Sequence, residues 1–599
     1  MVGVQLTEEQ QAAVEAALKE ERLRVMALAG TGKTTTLLSI AQSLVAEGAR
    51  KVLIVAFNNS VAKELQHKVK KLGLEKHVEV RTLHGLAYRH VVGRGPVGTK
   101  ADLAKAVQEK YGLDAAVAYA HVVALEKWCE TDMTFAEFFS GRKMPAAKMP
   151  AAIREMIDVG LLEKVWKNPP VWTHFLYQKQ FERSLKGQRV KYDAILVDEA
   201  QDLNPVQVSI VMHISASRKV LVGDPWQSIY MWRGAINTLE KLDWPVVRLT
   251  HSFRFGKNIA DIANRILSLH GVELRGVGPT KDRSDIVAYI SRSNSTMLST
   301  ALERGKRGEK YRFERDISNL LRLLVAAAAV WECYYTGICR GVSPLLAVIA
   351  REAESEIKMI ESIRQIDEEL ADFMQTCKQL GVEDVAEAEE VVEEIRKGVS
   401  RSANTVLTTV HTAKGREYSR VILQDDFRIP FTGERTDLLV YCDPEELFAM
   451  GYSPPEHHWK VDWEEVNVLY VGVTRAMHSL ELSTTAIKAI TAVKTYAALS
   501  KLSELLCGEL CELCEDEQEE EQRVQQRVRT RTAEEDEEED KDIGNLFWRA
   551  LKGSEGEMEK LLHMISDARE RDKWRKRIRR LAAKAKRLQR ELHEVLKEA

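Results

Sequence analysis

The sequence has no long apolar run, few cysteines and almost no net charge. No stretch of about 18 apolar residues occurs, so no membrane-spanning helix is expected. The longest candidate, Leu320–Trp331, is too short and follows charged residues. The first residues, Met1–Glu8, have neither a basic region nor an apolar h-region, so no signal peptide is expected there. Eight cysteines in 599 residues do not make a disulfide scaffold, and a reducing compartment is the simpler expectation. The balance of 87 Lys+Arg against 90 Asp+Glu gives a net charge of −3. Such a balance argues against a nucleic-acid binder only if the charge is evenly spread, and it is not. What is present, 45% hydrophobic and 30% charged residues, is the composition of a soluble globular chain too long for a single core. A soluble intracellular protein is therefore expected.

Apolar strand patterns alternate with helical ones through the first part of the chain. Arg24–Ala29, Lys51–Ala56, Val78–Thr82, Ala194–Val197 and Lys219–Val222 read as buried strands, and Thr34 to about Glu47 as a helix. Residues 93–188 read as helical and loop-rich, with Trp128, Trp166, Trp172 and Phe175. A second series of strand patterns begins at Val246–Leu249, continues at Ile286–Ile290, and resumes at Val406–Val410 and Val421–Leu423. Between its parts, Met359, Ile363, Ile366, Leu370, Phe373, Cys377 and Leu380 step by four and three, as on one helical stripe. Hairpin packing is the plain use of that stripe, with Cys377 a buried core thiol. Glu534–Asp540 is an unbroken acidic run and reads as a solvated linker. Arg569–Arg590 is basic, and Trp574, Ile578, Leu581, Ala585, Leu588, Leu592 and Val595 give it an apolar face. That face suits pairing with another helix better than a track of phosphates.

The predicted fold class is α/β: two parallel-sheet P-loop domains with helical insertions and a charged helical tail. The expected boundaries are 1–92 and 189–245 for the first core domain, interrupted by an insertion at 93–188. The second core domain is expected at 246–300 and 403–490, interrupted at 301–402, and the tail at 491–599.

Ala27-Leu28-Ala29-Gly30-Thr31-Gly32-Lys33-Thr34 follows a strand pattern and opens a helix, the context a phosphate-binding loop requires. Backbone N–H groups of Ala29, Gly30, Thr31, Gly32, Lys33, Thr34 and Thr35 would surround phosphates at a positive helix end. Lys33 would reach the outer phosphates and Thr34 would hold Mg²⁺. The first glycine of the strict pattern is Ala27 here. Asp198-Glu199 ends another strand pattern, which assigns Asp198 to the metal and Glu199 to the attacking water. Phosphoryl transfer also needs a cation at the γ-phosphate, and spacing alone does not select Arg254 or Arg475 from the other arginines.

Taken in order, the motifs resemble those of the UvrD/Rep/PcrA-like superfamily 1 DNA helicases, within them the F-box DNA helicase branch. Leu6-Thr7-Glu8-Glu9-Gln10, the loop above, Phe57-Asn58 with Ala62-Lys63-Glu64, Thr82–Ala87 and Asp198–Asp202 carry it through the first half. Gly223–Ala235, Ser252-Phe253-Arg254, Ile290–Asn294, His411–Glu417 and Tyr470–Ala476 carry it through the second. The resemblance spans residues 6 to about 484. It implies two RecA-like domains, ATP and Mg²⁺ as cofactors, and 3′→5′ movement on single-stranded DNA with strand separation. Single-stranded DNA and its junctions with duplex are the implied partners. Gln10 would read adenine, Phe253 would stack on it, and Glu417 would meet the ribose. Gln227 would couple the γ-phosphate to the DNA site, and Arg254 and Arg475 would contact that phosphate. Phe57, Tyr230 and Trp232 would stack on bases, while Asn58, Thr82, His84 and His411 would contact or position the DNA.

Two departures qualify this. Arg416 stands where many relatives have leucine, and the insertion before His411 is shorter than in bacterial relatives. No F-box precedes the first motif, so the resemblance carries no ubiquitin-ligase role. Two other readings stay open: a translocase that strips proteins without unwinding, and a DNA-binding subunit of a repair or defence complex recruited through its tail. Cys507, Cys511 and Cys514 have a spacing that zinc or an iron–sulfur cluster would use, but a fourth ligand is not apparent, and reduced thiols are expected.

Overall fold

A computed structural model describes residues 5–140, 155–185, 191–231, 234–280, 283–450, 452, 459–501 and 503. Trp232, the acidic run, the basic heptads and Cys507, Cys511 and Cys514 lie outside the described residues.

Strands β1 (Arg22–Ala27), β2 (Val52–Ala56), β3 (Val78–Thr82), β4 (Lys191–Val197), β5 (Ser215–Gly223) and β6 (Val246–Leu249) form one parallel sheet in the order β3-β2-β4-β5-β1-β6. Every residue of β2 is buried, as an all-parallel sheet covered on both faces requires. Apolar clusters lie on the two faces, one around Leu23, Val25, Leu37 and Ile54, the other around Leu53, Ile195, Phe181 and Leu221. The adjacent strands β4, β5 and β1 end together, so the segments that follow them meet at one edge of the sheet. That is where an open parallel sheet places its ligands.

β6 corrects the sequence reading, which gave Val246–Leu249 to the second sheet. It pairs with β1 in the register Arg24↔Val246 to Ala27↔Leu249. The Arg24 guanidinium reinforces the pairing by donating to Trp244 O at 2.6 and 2.9 Å and to Leu239 O at 2.7 Å.

Two short strands, β7 (His251–Ser252) and β8 (Arg275–Gly276), pair with each other. Strands β9 (Val287–Ser291), β10 (Arg312–Phe313), β11 (Thr405–Thr409), β12 (Tyr418–Leu423) and β15 (Ala476–Glu481) form a second parallel sheet, ordered β10-β11-β9-β12-β15.

Helices fill both interruptions. Lys100–Tyr111, Ala115–Cys129, Val159–Lys167 and His174–Leu185 occupy the first, and five helices between Ser318 and Gly398 the second. Both contribute to one apolar core, from Leu103, Trp128 and Leu162 on one side to Trp331, Leu345 and Phe373 on the other. The predicted stripe at 359–380 is divided between helices Glu356–Arg364 and Glu368–Leu380. Asp367 makes the break, because its side chain accepts from Leu370 N–H at 3.0 Å and caps the second helix. Cys377 is fully buried, and burial pushes its thiol up to about 12. Cys333 and Cys339 form a disulfide, a departure from the all-reduced expectation.

By packing, the chain divides into two compact units. The described residues within 1–260, 274–427 and 467–483 form the first, which holds both parallel sheets. In the second, β13 (Phe431–Gly433) and β14 (Trp459–Val461) pair antiparallel, and the Phe431 and Tyr496 rings lie 4.8 Å apart. Among the described residues no helix is long and apolar enough to cross a membrane.

Candidate nucleotide and strand site

The loop after β1 turns into the helix Lys33–Ala46 through two left-handed glycines, Gly30 at φ +76° and Gly32 at φ +83°. A Cβ on Gly30 would stand 2.5 Å from Ser252 Oγ and 2.6 Å from Arg254 Cβ, so side chains are excluded there by space as well as by φ. The 252–254 segment thus rests directly on the loop, and Phe253 N–H donates to Gly30 O at 2.9 Å. Gln10 donates to Thr31 O at 3.1 Å. Glu9 accepts from Thr250 N–H at 2.7 Å and from its hydroxyl at 2.6 Å, tying the first helix to the segment before Phe253. Gln10 and Phe253, expected around adenine, therefore flank the same loop.

Asp198 and Glu199 follow β4. Glu199 adopts φ +50°, ψ +45°, a left-handed conformation uncommon for a non-glycine residue. Its carboxylate sits 3.8 Å from Lys33 Nζ and accepts from Gln201 Nε2 at 2.5 Å. Burial, then the Glu199 charge, pushes the Asp198 carboxyl up to about 7. Burial also opposes ionisation of Glu199, but Lys33 and Lys414 outweigh it and hold that group near 2. A buried carboxylate whose charge is this poorly compensated is a hard-oxygen ligand of the kind Mg²⁺ takes. Among the described residues no group of three or more His, Cys, Asp or Glu forms a metal cage. P-loop Mg²⁺ needs none, since it keeps waters and takes phosphate oxygens.

The 3₁₀ turn Pro225–Gln227 follows β5. Gln227 Nε2 donates to Asp224 Oδ2 at 2.7 Å, and Gln227 Oε1 accepts from Arg475 Nη2 at 3.2 Å. Arg475 is 1% exposed, and its hydrogen bonds go to neutral oxygens: Val471 O, Arg416 O, Thr474 Oγ1 and Gln227 Oε1. Burial, then the neighbouring Arg254 charge, lowers its pKa to about 9, so it stays protonated at neutral pH. Arg254 donates to Glu417 at 3.0 Å and to Thr474 O at 2.9 Å. Glu417, expected at the ribose, is here the partner of Arg254.

Three residues beyond Gln227, Tyr230 stacks against Phe57, with centroids 5.8 Å apart and planes at 19°. Phe57 is 42% exposed. The His411 ring lies 5.9 Å from Tyr230, and its Nε2 lies 3.1 Å from Ile229 O. Lys414 pairs with Asp202 at 2.5 Å, donates to Gln227 O, and lies 5.1 Å from the Tyr230 ring centroid. Asn58 and Thr82 serve as helix caps, accepting from Val61 N–H and Gly85 N–H. His84 sits beside Tyr177 and His174, and burial, then His174, brings its pKa down to about 4.

Several side chains to which the motifs assign no role sit at the centre of this arrangement: Glu9, Asp202, Asp224, Lys414 and Tyr470. All lie inside the quoted motifs, but each has a partner distant in sequence. Lys414 to Asp202, for instance, spans 212 positions.

Two family matches cover most of the chain. Residues 10–233 match the AAA domain, and residues 247–486 match the UvrD-like helicase C-terminal domain. F-box DNA helicase 1 of Gallus gallus is 27% identical over 526 residues, covering 80% of this chain and 49% of that protein. F-box DNA helicase protein 1 of Schizosaccharomyces pombe is 28% identical over 548 residues, covering 81% and 58%. DNA helicase IV of Escherichia coli is 23% identical over 323 residues, covering 43% and 46%. The chain thus spans about half the length of these curated relatives. With parallel sheets, phosphate loop and ordered motifs in agreement, the chain belongs to the UvrD-like superfamily 1 helicases.

Proposed function

We propose that the protein is an ATP-dependent DNA helicase that moves 3′→5′ along single-stranded DNA and separates strands during DNA repair, recombination or replication. The observation that carries this reading is the segment 227–230. At one end Gln227 meets the buried Arg475, and at the other Tyr230 meets the exposed Phe57. One short stretch of backbone therefore joins a phosphate-sensing group to an aromatic platform of the kind on which bases stack.

In this reading Lys33 exchanges Glu199 for the outer phosphates of ATP. Glu199, freed from that pair, orients the attacking water. Mg²⁺ at Thr34 and Asp198 would neutralise charge on the phosphate oxygens. Arg475 carries a cation that burial makes costly, and a γ-phosphate supplies the anion its neutral partners do not. Gln10 and Phe253 would hold adenine, and His84 and His411 would guide the strand. Loss of the γ-phosphate then relaxes the contacts of Arg254 and Arg475 and lets the 227–230 segment shift with the bases it holds. Base–aromatic stacking, about 1–3 kcal/mol per base, is comparable with an average duplex step of about 1.4 kcal/mol, so such a motor meets no deep trap. We also read the chain as two core domains, with the tail as the place for a protein partner.

A strand-displacement assay tests this with a 3′-tailed and a 5′-tailed duplex, Mg²⁺ and ATP. Displacement from the 3′ tail is expected. DNA-stimulated hydrolysis without displacement would make the protein a translocase, and displacement only from a 5′ tail would reverse the polarity. Absence of DNA-stimulated hydrolysis would remove the motor reading. Tyr230→Ala is expected to weaken binding of a single-stranded oligonucleotide by about 5- to 150-fold, as read by fluorescence anisotropy. A dissociation constant within twofold of the unaltered protein would take base stacking away from Tyr230.

A further inference from the structure

Tyr470 lies in the helix Trp463–Val473 and is completely buried. Its single hydroxyl is used twice. It accepts from the Ala29 N–H of the phosphate loop at 3.1 Å and donates to Asp224 Oδ2 at 3.2 Å. Burial pushes the phenol well above its ordinary range, so the hydroxyl keeps its proton and stays able to donate.

Asp224 is itself fully buried and passes both contacts on. Through Oδ2 it accepts from Gln227 Nε2 at 2.7 Å. That bond fixes the orientation of the Gln227 amide. Only with its nitrogen toward Asp224 does its oxygen face Arg475, because the reverse would set donor against donor. Through its backbone N–H, Asp224 donates to Gln201 Oε1 at 3.2 Å, and Gln201 Nε2 in turn donates to Glu199. The fit is close: a Cβ on Gly223 would stand 2.1 Å from Gln201 Oε1. One phenol thus lies at the root of two branches, one ending on Arg475 and the other on Glu199.

We propose that Tyr470 is a positioning residue for ATP hydrolysis, tying the phosphate loop to Asp224 and so setting Gln227, Arg475 and Glu199 in register. This rests on the ATPase reading above. Tyr470 touches no reacting atom in this scheme, and its effect passes through Asp224.

The test is Tyr470→Phe in the full chain, which keeps the ring and removes only the hydroxyl. Steady-state ATP hydrolysis with saturating single-stranded DNA should show kcat lower by about tenfold, with KM for ATP within about twofold. Asp224→Asn should give the same split. The double variant should be no slower than the slower single one, as members of one network behave. A merely structural role would instead lower the melting temperature in proportion to activity and give independent, multiplicative losses. An unchanged kcat in Tyr470→Phe overturns the proposal, as does a raised KM at constant kcat. If Tyr470→Phe fails to fold, the Asp224→Asn split decides. Failure of the unaltered protein to hydrolyse ATP would refute the ATPase reading itself, an outcome distinct from all of these.

Discussion

Replacing Arg475 with alanine is expected to lower DNA-stimulated ATP turnover by about 10³-fold or more, the range associated with an arginine acting on a transferring phosphoryl group. The expectation follows from how Arg475 is held. It is buried and protonated, and among the described residues its hydrogen bonds go to neutral oxygens, so the protein bears a desolvated charge with no anion among them within hydrogen-bonding reach. Arg475→Lys should recover little, because an ammonium cannot reproduce the fork that reaches Gln227, Thr474 and Arg416 together. Turnover is followed by phosphate release, and nucleotide affinity by a fluorescent ATP analogue. The two readouts separate loss of chemistry from loss of binding. Turnover within threefold of the unaltered protein would end the assignment.

Glu199→Gln is expected to reduce turnover by about 10²–10⁴-fold while ATP still binds, as removal of a group that handles the attacking water should. Glutamine matches glutamate in size and accepts the same backbone, so the left-handed turn at 199 is kept. What changes is charge. Lys33, 3.8 Å away, loses its anionic neighbour, which favours its move to phosphate. The variant should therefore hold ATP at least as tightly as the unaltered protein and accumulate the bound, unhydrolysed state. Single-turnover quench measurements read this directly. Hydrolysis at the normal rate would show that water is oriented by another group.

The phosphate loop was legible because all its determinants are local: a strand pattern, glycines where the backbone turns left-handed, and a lysine at the helix start. The parallel sheets were legible for the same reason, since each buried strand shows as a short apolar run. Partnership was not. Val246–Leu249 is apolar enough for either sheet, and only its register with β1 places it. The stripe from Met359 to Leu380 gave the buried face correctly but hid the break, because Asp367 on its own is an ordinary acidic residue. The bond from Tyr470 to Asp224 spans 246 positions and leaves no periodic trace in the sequence.

The core shared by the two helical interruptions bears on how the chain is made. Helix Ala115–Cys129 packs on helix Pro344–Glu352, so its apolar face waits for a partner translated much later. At about 5–20 residues per second, the intervening segment 130–343 takes roughly 10–40 s to emerge. Through that interval the face of helix Ala115–Cys129 that packs on Pro344–Glu352 lacks its final cover. Newly made chains should then be more prone to aggregate, and more dependent on chaperones, than either parallel sheet alone would suggest.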